Sequence, residues 1–145
     1  ASGFPRTREG FRAYCEQLNQ RYATLELGGR FLNKGVWDLL RNVPCRMEFF
    51  RYVEWHNLAS VALADMGIKV MVLHYDWYET ELNETVNALL DFLQLDRRSE
   101  PTPFVEGKTY SDYFADEEKD AIATALRIMS LDSVWLQIRG YVTKA

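Results

Sequence analysis

The sequence is poor in the side chains that most often hold transition metals or build nucleophilic active sites. Its 145 residues include two cysteines, Cys15 and Cys45, and two histidines, His56 and His74. Their spacing does not match a zinc site, and it does not match a Ser-His-Asp or Cys-His arrangement. We therefore expect no metal centre, and the catalytic residues of any activity stay unassigned at this point.

Long hydrophobic runs are missing too. No stretch approaches the roughly 18 apolar residues that a membrane-spanning helix needs. The first ten residues, ASGFPRTREG, contain neither an initiator Met nor the apolar core of a signal peptide. We expect no membrane segment in this chain, and the missing Met indicates a piece of a longer protein.

The sequence has no excess of basic charge. It contains 17 Lys and Arg against 21 Asp and Glu, which gives a formal net charge of −4. A general nucleic-acid binder must neutralise backbone phosphates with clustered cations, so the balance argues against that class. A small anionic ligand remains open, because one phosphate site needs only about two or three cations beside a helix N-terminus.

The two cysteines allow two interpretations. Each could be a small buried hydrophobic residue, or Cys15 and Cys45 could form one disulfide that ties the first helix to the start of the third. A disulfide would imply an oxidising compartment. The N-glycosylation sequon Asn83-Glu84-Thr85 points in the same direction.

Apolar residues at helical spacing dominate the rest of the chain. They predict helices near residues 7–22, 36–41, 46–66, 83–93, 116–129 and 132–141, with Thr7, Asn83, Asp116 and Asp132 as N-caps. The helix at 46–66 carries apolar residues almost all round and is therefore expected to be deeply packed. Residues 23–27 give a weak second strand at best.

A single strand is expected at residues 68–75, where the short run VMVL is typical of a strand buried on both faces of a parallel sheet. Ligands of open α/β sheets gather at the carboxyl ends of strands, and the residues there are Tyr75, Asp76, Trp77 and Tyr78. Tyr75 could pack against an adenine, or the rings could close the apolar layer under the next helix. A strand without neighbours indicates a doubly wound domain that has lost its first half.

Basic residues after this region offer candidate phosphate ligands. Lys108 follows Gly107, whose missing side chain lets backbone N–H groups approach an anion, although an ordinary solvated loop lysine is the alternative. The triplet GKT at 107–109 lacks phosphate-loop spacing, because Thr102 stands where a Gly is required. Arg97 and Arg98 could act in the same way or lie in a solvated turn.

These segments together resemble one enzyme family. The stretch VMVLHYDWYETELNETVNALLDFLQL is similar to the sulfotransferase order of apolar strand, Tyr-Glu-Asp step, short spacer and helix, with Asp76 in place of the Glu. VEGKTYSDYFADEEKDAI resembles the family's later segment, and FFRYVEWHNLASVAL resembles the helix before the strand. The resemblance spans residues 46–141 and looks closest to Golgi-type or algal sulfotransferase-like branches.

The resemblance implies an α/β fold and an activity. Residues 1–145 would be the C-terminal part of a P-loop-like three-layer sulfotransferase domain, mostly helical with one central parallel strand at 68–75. The N-terminal half would be missing, with the phosphosulfate-binding loop and the catalytic base, so the isolated segment should be inactive. The whole enzyme would move a sulfuryl group from 3'-phosphoadenosine 5'-phosphosulfate (PAPS) to a hydroxyl acceptor such as a carbohydrate.

The resemblance also implies binding residues and a compartment. Tyr75 corresponds to the family's Tyr that lies against the adenine, while Gly107 and Lys108 fall near the loop that holds the 3'-phosphate. No metal is implied, and the compartment favoured is the Golgi lumen or the secretory pathway. A second hypothesis stays open, in which the chain is a non-catalytic helical module that packs its apolar surface, including VMVL, against a partner protein.

Overall fold

The computed structural model describes residues 3–29, 32–103 and 111–143, and its regular secondary structure within those ranges is helical. Seven α-helices follow one another in the described ranges: α1 (Arg8–Gly29), α2 (Lys34–Leu40), α3 (Arg46–Asp65), α4 (Trp77–Thr80), α5 (Leu82–Leu93), α6 (Asp116–Met129) and α7 (Asp132–Thr143). A 3-10 turn at Ser111–Tyr113 precedes α6. The chain divides into two compact units, one formed by α1 to α3 with α6 and α7, the other containing α4 and α5.

The first unit is a helical bundle whose central element is α6, which packs against α2, α3 and α7. Helical periodicity places Ile122, Ala125 and Leu126 on one face of α6, where all three are buried. The partners that complete this core come from the other helices and the turn before α3; they are Val36, Leu40, Val43, Val53, Val134 and Ile138. The core therefore joins segments from both ends of the sequence.

The start of α1 confirms one predicted cap. The backbone N–H of Gly10 donates to the Thr7 hydroxyl at 3.2 Å, which satisfies a donor that the first turn leaves unpaired. Gly10 also lies tight against the preceding segment, since a Cβ built there would be 2.0 Å from the Pro5 carbonyl oxygen. The close approach explains why glycine stands at this buried position.

A disulfide joins Cys15 of α1 to Cys45, the residue immediately before α3. Their Cα atoms are 4.5 Å apart, and both residues are buried. The disulfide interpretation of the two cysteines is therefore the one that the structure confirms. It fixes α1 beside the first turn of α3.

Several predicted details of the helices are wrong. Asp132 is the first residue of α7 rather than its N-cap, and α3 is not deeply packed, since Trp55 and Leu58 on it are 66% and 63% exposed. Residues 23–27 lie inside α1 rather than in a strand. α5 already begins at Leu82, so Asn83 is a residue of the first turn and not its N-cap. Asp116 occupies the first helical position of α6, and the Glu118 carboxylate accepts from the backbone N–H of Ala115 at 2.7 Å instead.

The second unit contains the apolar segment, residues 68–74, followed by α4, α5 and residues 95–103, which have no regular secondary structure and are called the return below. The ammonium of Lys69 lies 5.3 Å from the centre of the Phe92 ring, so the apolar segment contacts α5. α5 ends at Leu93 and is followed by Gln94 in the left-handed conformation (φ 56°), and the N–H of Leu95 donates to the Leu90 carbonyl at 2.9 Å. This is the Schellman pattern with glutamine in the place that glycine usually takes.

The predicted α/β fold with a central parallel strand at 68–75 is wrong for the part of the chain that the structure describes. The apolar segment has no regular secondary structure, and no strand occurs within the described ranges. A strand forms only where neighbouring strands pair with its backbone groups, and the one weak candidate neighbour, residues 23–27, is helical. Val70 is accordingly 48% exposed rather than buried.

Candidate functional site

Tyr75 lies in the turn that follows the apolar segment and leads into α4. The N–H of Tyr78 donates to the Tyr75 carbonyl at 3.1 Å, which closes this turn. The Tyr75 residue is 56% exposed, while the rings of His74 and Trp77 meet edge to face with centres 4.6 Å apart. Tyr75 is therefore an accessible aromatic side chain with structured neighbours.

The other two predicted cofactor-binding residues, Gly107 and Lys108, lie outside the described residues. Their proximity to Tyr75 therefore stays a prediction. Of the three residues that the resemblance assigns to the nucleotide, Tyr75 is the one whose surroundings are described.

A groove of about 680 Å³ opens on the second unit, between α5 and the irregular return. Its walls are apolar on the α5 side and polar along the return; the lining residues are Val86, Leu90, Gln94, Leu95, Asp96, Arg97, Arg98, Ser99 and Pro101. Concave surfaces of this kind, apolar with a few polar groups, are the usual places where small molecules bind. Arg97 and Arg98 line it beside Asp96, so its polar side carries charges of both signs.

Arg97 is held by the return and by α5 at once. Its guanidinium donates to the side-chain oxygens of Asn83 (2.8 Å), Asn87 (3.2 Å) and Glu100 (2.7 Å), and its Nε donates to the Ser99 carbonyl at 3.3 Å. A guanidinium has five N–H donors in a fixed fork, and four contacts use most of them. Arg97 is exposed and lies outside regular secondary structure, as the solvated-turn interpretation predicts, and its contacts show in addition that it holds the return to α5 as a clamp.

Sequence reasoning missed this clamp because its parts are distant in sequence. Asn83 and Asn87 stand one helical turn apart, which puts both amides on the same side of α5. That spacing was the one available local signal. The third member, Arg97, reaches them only because the chain reverses at Gln94.

His56 lies on α3 among aromatic rings. Its ring centre is 4.5 Å from that of Tyr52 and 4.8 Å from that of Trp55, both at steep angles. Partial burial lowers the pKa of His56 below its ordinary value. Burial, with Tyr141 adding to it, raises the pKa of the Tyr52 hydroxyl. Both side chains are therefore held in their neutral forms near pH 7.

A two-pronged ion pair joins α1 to α6. Arg12 donates from Nη1 and Nη2 to the two carboxylate oxygens of Glu118 at 3.0 and 2.7 Å, and Nη2 also reaches the Tyr113 carbonyl at 3.2 Å. Desolvation opposes ionisation of Glu118, but the bonds from Arg12 and from the Ala115 N–H outweigh it and lower the pKa of this carboxyl. The pair therefore ties α1 to α6 within the bundle.

We expect acid to destabilise the protein in two separate windows of pH. The pKa of His56 is lowered from 6.5 and that of Glu118 from 4.5, so the folded state binds fewer protons than the unfolded state in each window. Stability present at pH 7 should therefore fall first below about pH 6.5 and again below about pH 4.5. Urea titrations between pH 3 and 8 measure this dependence.

The variants His56→Gln and Glu118→Gln separate the two contributions. His56→Gln should flatten the decline below about pH 6.5 and leave the lower window, whereas Glu118→Gln should do the reverse. Each variant is thus the control for the other. Identical pH profiles for wild type and both variants would contradict the assignment.

A metal-binding cluster and a membrane-spanning helix are both absent from the described part of the chain. Among residues 3–29, 32–103 and 111–143, no three His, Cys, Asp or Glu side chains are grouped so that they could hold a metal ion. No helix in those same ranges has both the length and the apolar character needed to cross a membrane.

Comparisons with protein-family models, with curated proteins and with solved structures found no match to this chain.

Proposed function

We propose that the chain is part of a sulfotransferase that moves a sulfuryl group from PAPS to a hydroxyl acceptor, with carbohydrates as one acceptor class. The observation that carries the proposal is the position of Tyr75. Its accessible ring follows an apolar segment and precedes α4 and α5, in the order of residues by which the sequence resembles the family. An exposed ring at such a point can stack on an adenine.

The proposed reaction is an in-line transfer. The acceptor oxygen attacks sulfur, the bond between sulfur and the nucleotide phosphate oxygen breaks, and 3'-phosphoadenosine 5'-phosphate (PAP) leaves. The acceptor proton passes to a base, and positive groups stabilise the charge on the transferred and leaving oxygens. We assign Tyr75 to adenine stacking and Gly107 and Lys108 to the 3'-phosphate, while the base and phosphosulfate loop belong to the proposed N-terminal half of the protein.

The exposed apolar segment supports the idea of a missing half. Ile68, Val70 and Val72 are all exposed, although β-branched side chains of this kind are usually buried. Contiguous exposed apolar surface commonly marks an interaction site. We propose that the N-terminal half of the same protein covers this segment.

Replacing Tyr75 by Ala should weaken PAP binding by about 1 to 3 kcal/mol, because a stacked base loses its aromatic platform. The measurement is titration calorimetry on the protein that joins this chain to its N-terminal half. Tyr75→Phe keeps the ring and should bind like wild type. Tyr78→Ala removes a tyrosine from the neighbouring helix and should have little effect.

Two results would contradict the proposal at different levels. If the wild-type protein does not bind PAP, the proposed sulfotransferase function is wrong. Binding that is equal in wild type and Tyr75→Ala would keep the function but leave Tyr75 as a packing residue.

A non-catalytic interaction module is the second candidate, and the outer face of α3 favours it. Trp55 and Leu58 are 66% and 63% exposed, and Ala62 continues their stripe one turn further. Residues three and four apart share one helix face, so these side chains form a continuous apolar surface suited to an apolar partner protein. Such a module has no need of nucleotide, and the titration with PAP therefore separates the two candidates.

A further inference from the structure

We propose that Asn83 carries an N-linked glycan. Asn83-Glu84-Thr85 is the single Asn-x-Ser/Thr triplet of the sequence, and the residue between Asn and Thr is not Pro. Asn83 is exposed in the first turn of α5. The proposal concerns a modification and does not depend on the sulfotransferase function.

The disulfide supplies an independent observation about the compartment. Both cysteines of the chain are used in the Cys15–Cys45 bond, and both are buried. Structural disulfides form and persist in oxidising compartments such as the lumen of the endoplasmic reticulum. N-glycosyl transfer takes place in the same lumen, so a chain that acquires this disulfide there also presents its sequon to the transferase.

The contacts of Asn83 are compatible with a glycan. The side-chain oxygen of Asn83 accepts the bond from Arg97 at 2.8 Å, whereas a glycan is attached through the side-chain nitrogen. The hydrogen bond and the glycan therefore use different atoms of the same amide. The Arg97 clamp can therefore persist after modification, and the exposed position gives the sugar room outside the fold.

The contacts of Thr85 indicate when the transfer occurs. Thr85 is 4% exposed, and its hydroxyl donates to the Trp77 carbonyl at 3.4 Å. A transferase must reach this hydroxyl together with Asn83, so transfer precedes the formation of α5. After folding, Thr85 is buried while Asn83 and its glycan stay outside.

The chemical step uses a lipid-linked oligosaccharide diphosphate as donor. A bond forms between the Asn83 nitrogen and C1 of the first sugar, and the C1–O bond to the lipid diphosphate breaks. The diphosphate carries away the bonding electrons, and the amide proton passes to a base of the transferase. No residue of this chain is oxidised or reduced.

Asn87 is a matched control within the same helix. It is also exposed, and its side-chain oxygen also accepts from Arg97, at 3.2 Å. The residues that follow it are Ala88 and Leu89, so it lacks the hydroxyl residue of a sequon. Asn83 and Asn87 thus differ in the sequon while sharing helix, exposure and partner.

The test is to express the full 145-residue chain behind a cleavable secretory signal in a eukaryotic cell. Wild type should migrate faster, in one step, after treatment with a peptide amidase that removes N-glycans. The enzyme converts the glycosylated Asn to Asp, which peptide mass spectrometry should locate at residue 83. Asn83→Gln and Thr85→Ala should abolish the shift, whereas Thr85→Ser and Asn87→Gln should keep it.

The outcomes decide the proposal even if a variant folds poorly. Wild-type chain that is secreted with the disulfide formed but without an amidase-sensitive sugar would overturn it. So would a shift that survives in Asn83→Gln. Should that variant be retained in the cell, the Asp conversion at residue 83 of the wild-type chain still decides.

Discussion

Replacing both cysteines by alanine is expected to lower the free energy of unfolding by about 3.5 kcal/mol. Cys15 and Cys45 are separated by 30 positions, and a cross-link over a loop of that length removes chain entropy from the unfolded state by about this amount. The loss should be large relative to the total, since a domain of ordinary size is stable by only about 5 to 15 kcal/mol. Alanine avoids placing two hydroxyl groups in a buried site.

Urea unfolding of the oxidised wild type and the double variant measures this difference. The control is the wild type with its disulfide reduced, which should unfold at nearly the same urea concentration as the double variant. If the oxidised protein and the double variant unfold together, the bond contributes nothing and α1 is held to α3 by packing alone.

Leu40→Ala is expected to lower the free energy of unfolding by about 3 kcal/mol. Leu40 is 0% exposed and belongs to the core that α2 shares with α3, α6 and α7. Truncation removes buried methyl groups and leaves a cavity that the surrounding helices fill only in part, and such changes cost about 2 to 5 kcal/mol. The effect should appear in the denaturant midpoint with little change in its slope.

Leu58→Ala is the matched control for this substitution. Leu58 is 63% exposed on the outer face of α3, so the same truncation removes little buried surface there. Its free energy of unfolding should stay within about 0.5 kcal/mol of wild type. Equal losses for Leu40→Ala and Leu58→Ala would show that α2 does not carry the core.

Most helices could be predicted from sequence because their signals are local. The apolar residues of α6 and α7 recur at helical spacing, and Thr7 precedes α1 with a hydroxyl placed to cap it. Boundaries were less accurate. Leu82 starts α5 before Asn83, since the turn of α4 leads directly into it.

The strand could not be judged in the same way, because its formation depends on partners. A short apolar run such as VMVL has no helical or alternating period that decides its structure, and β-pairing requires another segment beside it. Most of the candidate site could not be predicted for the same reason, because it depends on contacts between separate segments. Tyr75 could be singled out from its place in the sequence, whereas the groove and the Arg97 clamp depend on how the return meets α5.

The central position of α6 has a consequence for the order in which the protein is made. Val36, Leu40 and Val53 leave the ribosome well before Ile122 and Leu126, with the entire second unit synthesised between them. At ordinary rates of translation that interval lasts on the order of several seconds, during which the apolar faces of α2 and α3 have no α6 to cover them. The first unit therefore cannot complete its core until α6 has been synthesised. Until then, we expect chaperones to bind the exposed apolar faces of α2 and α3.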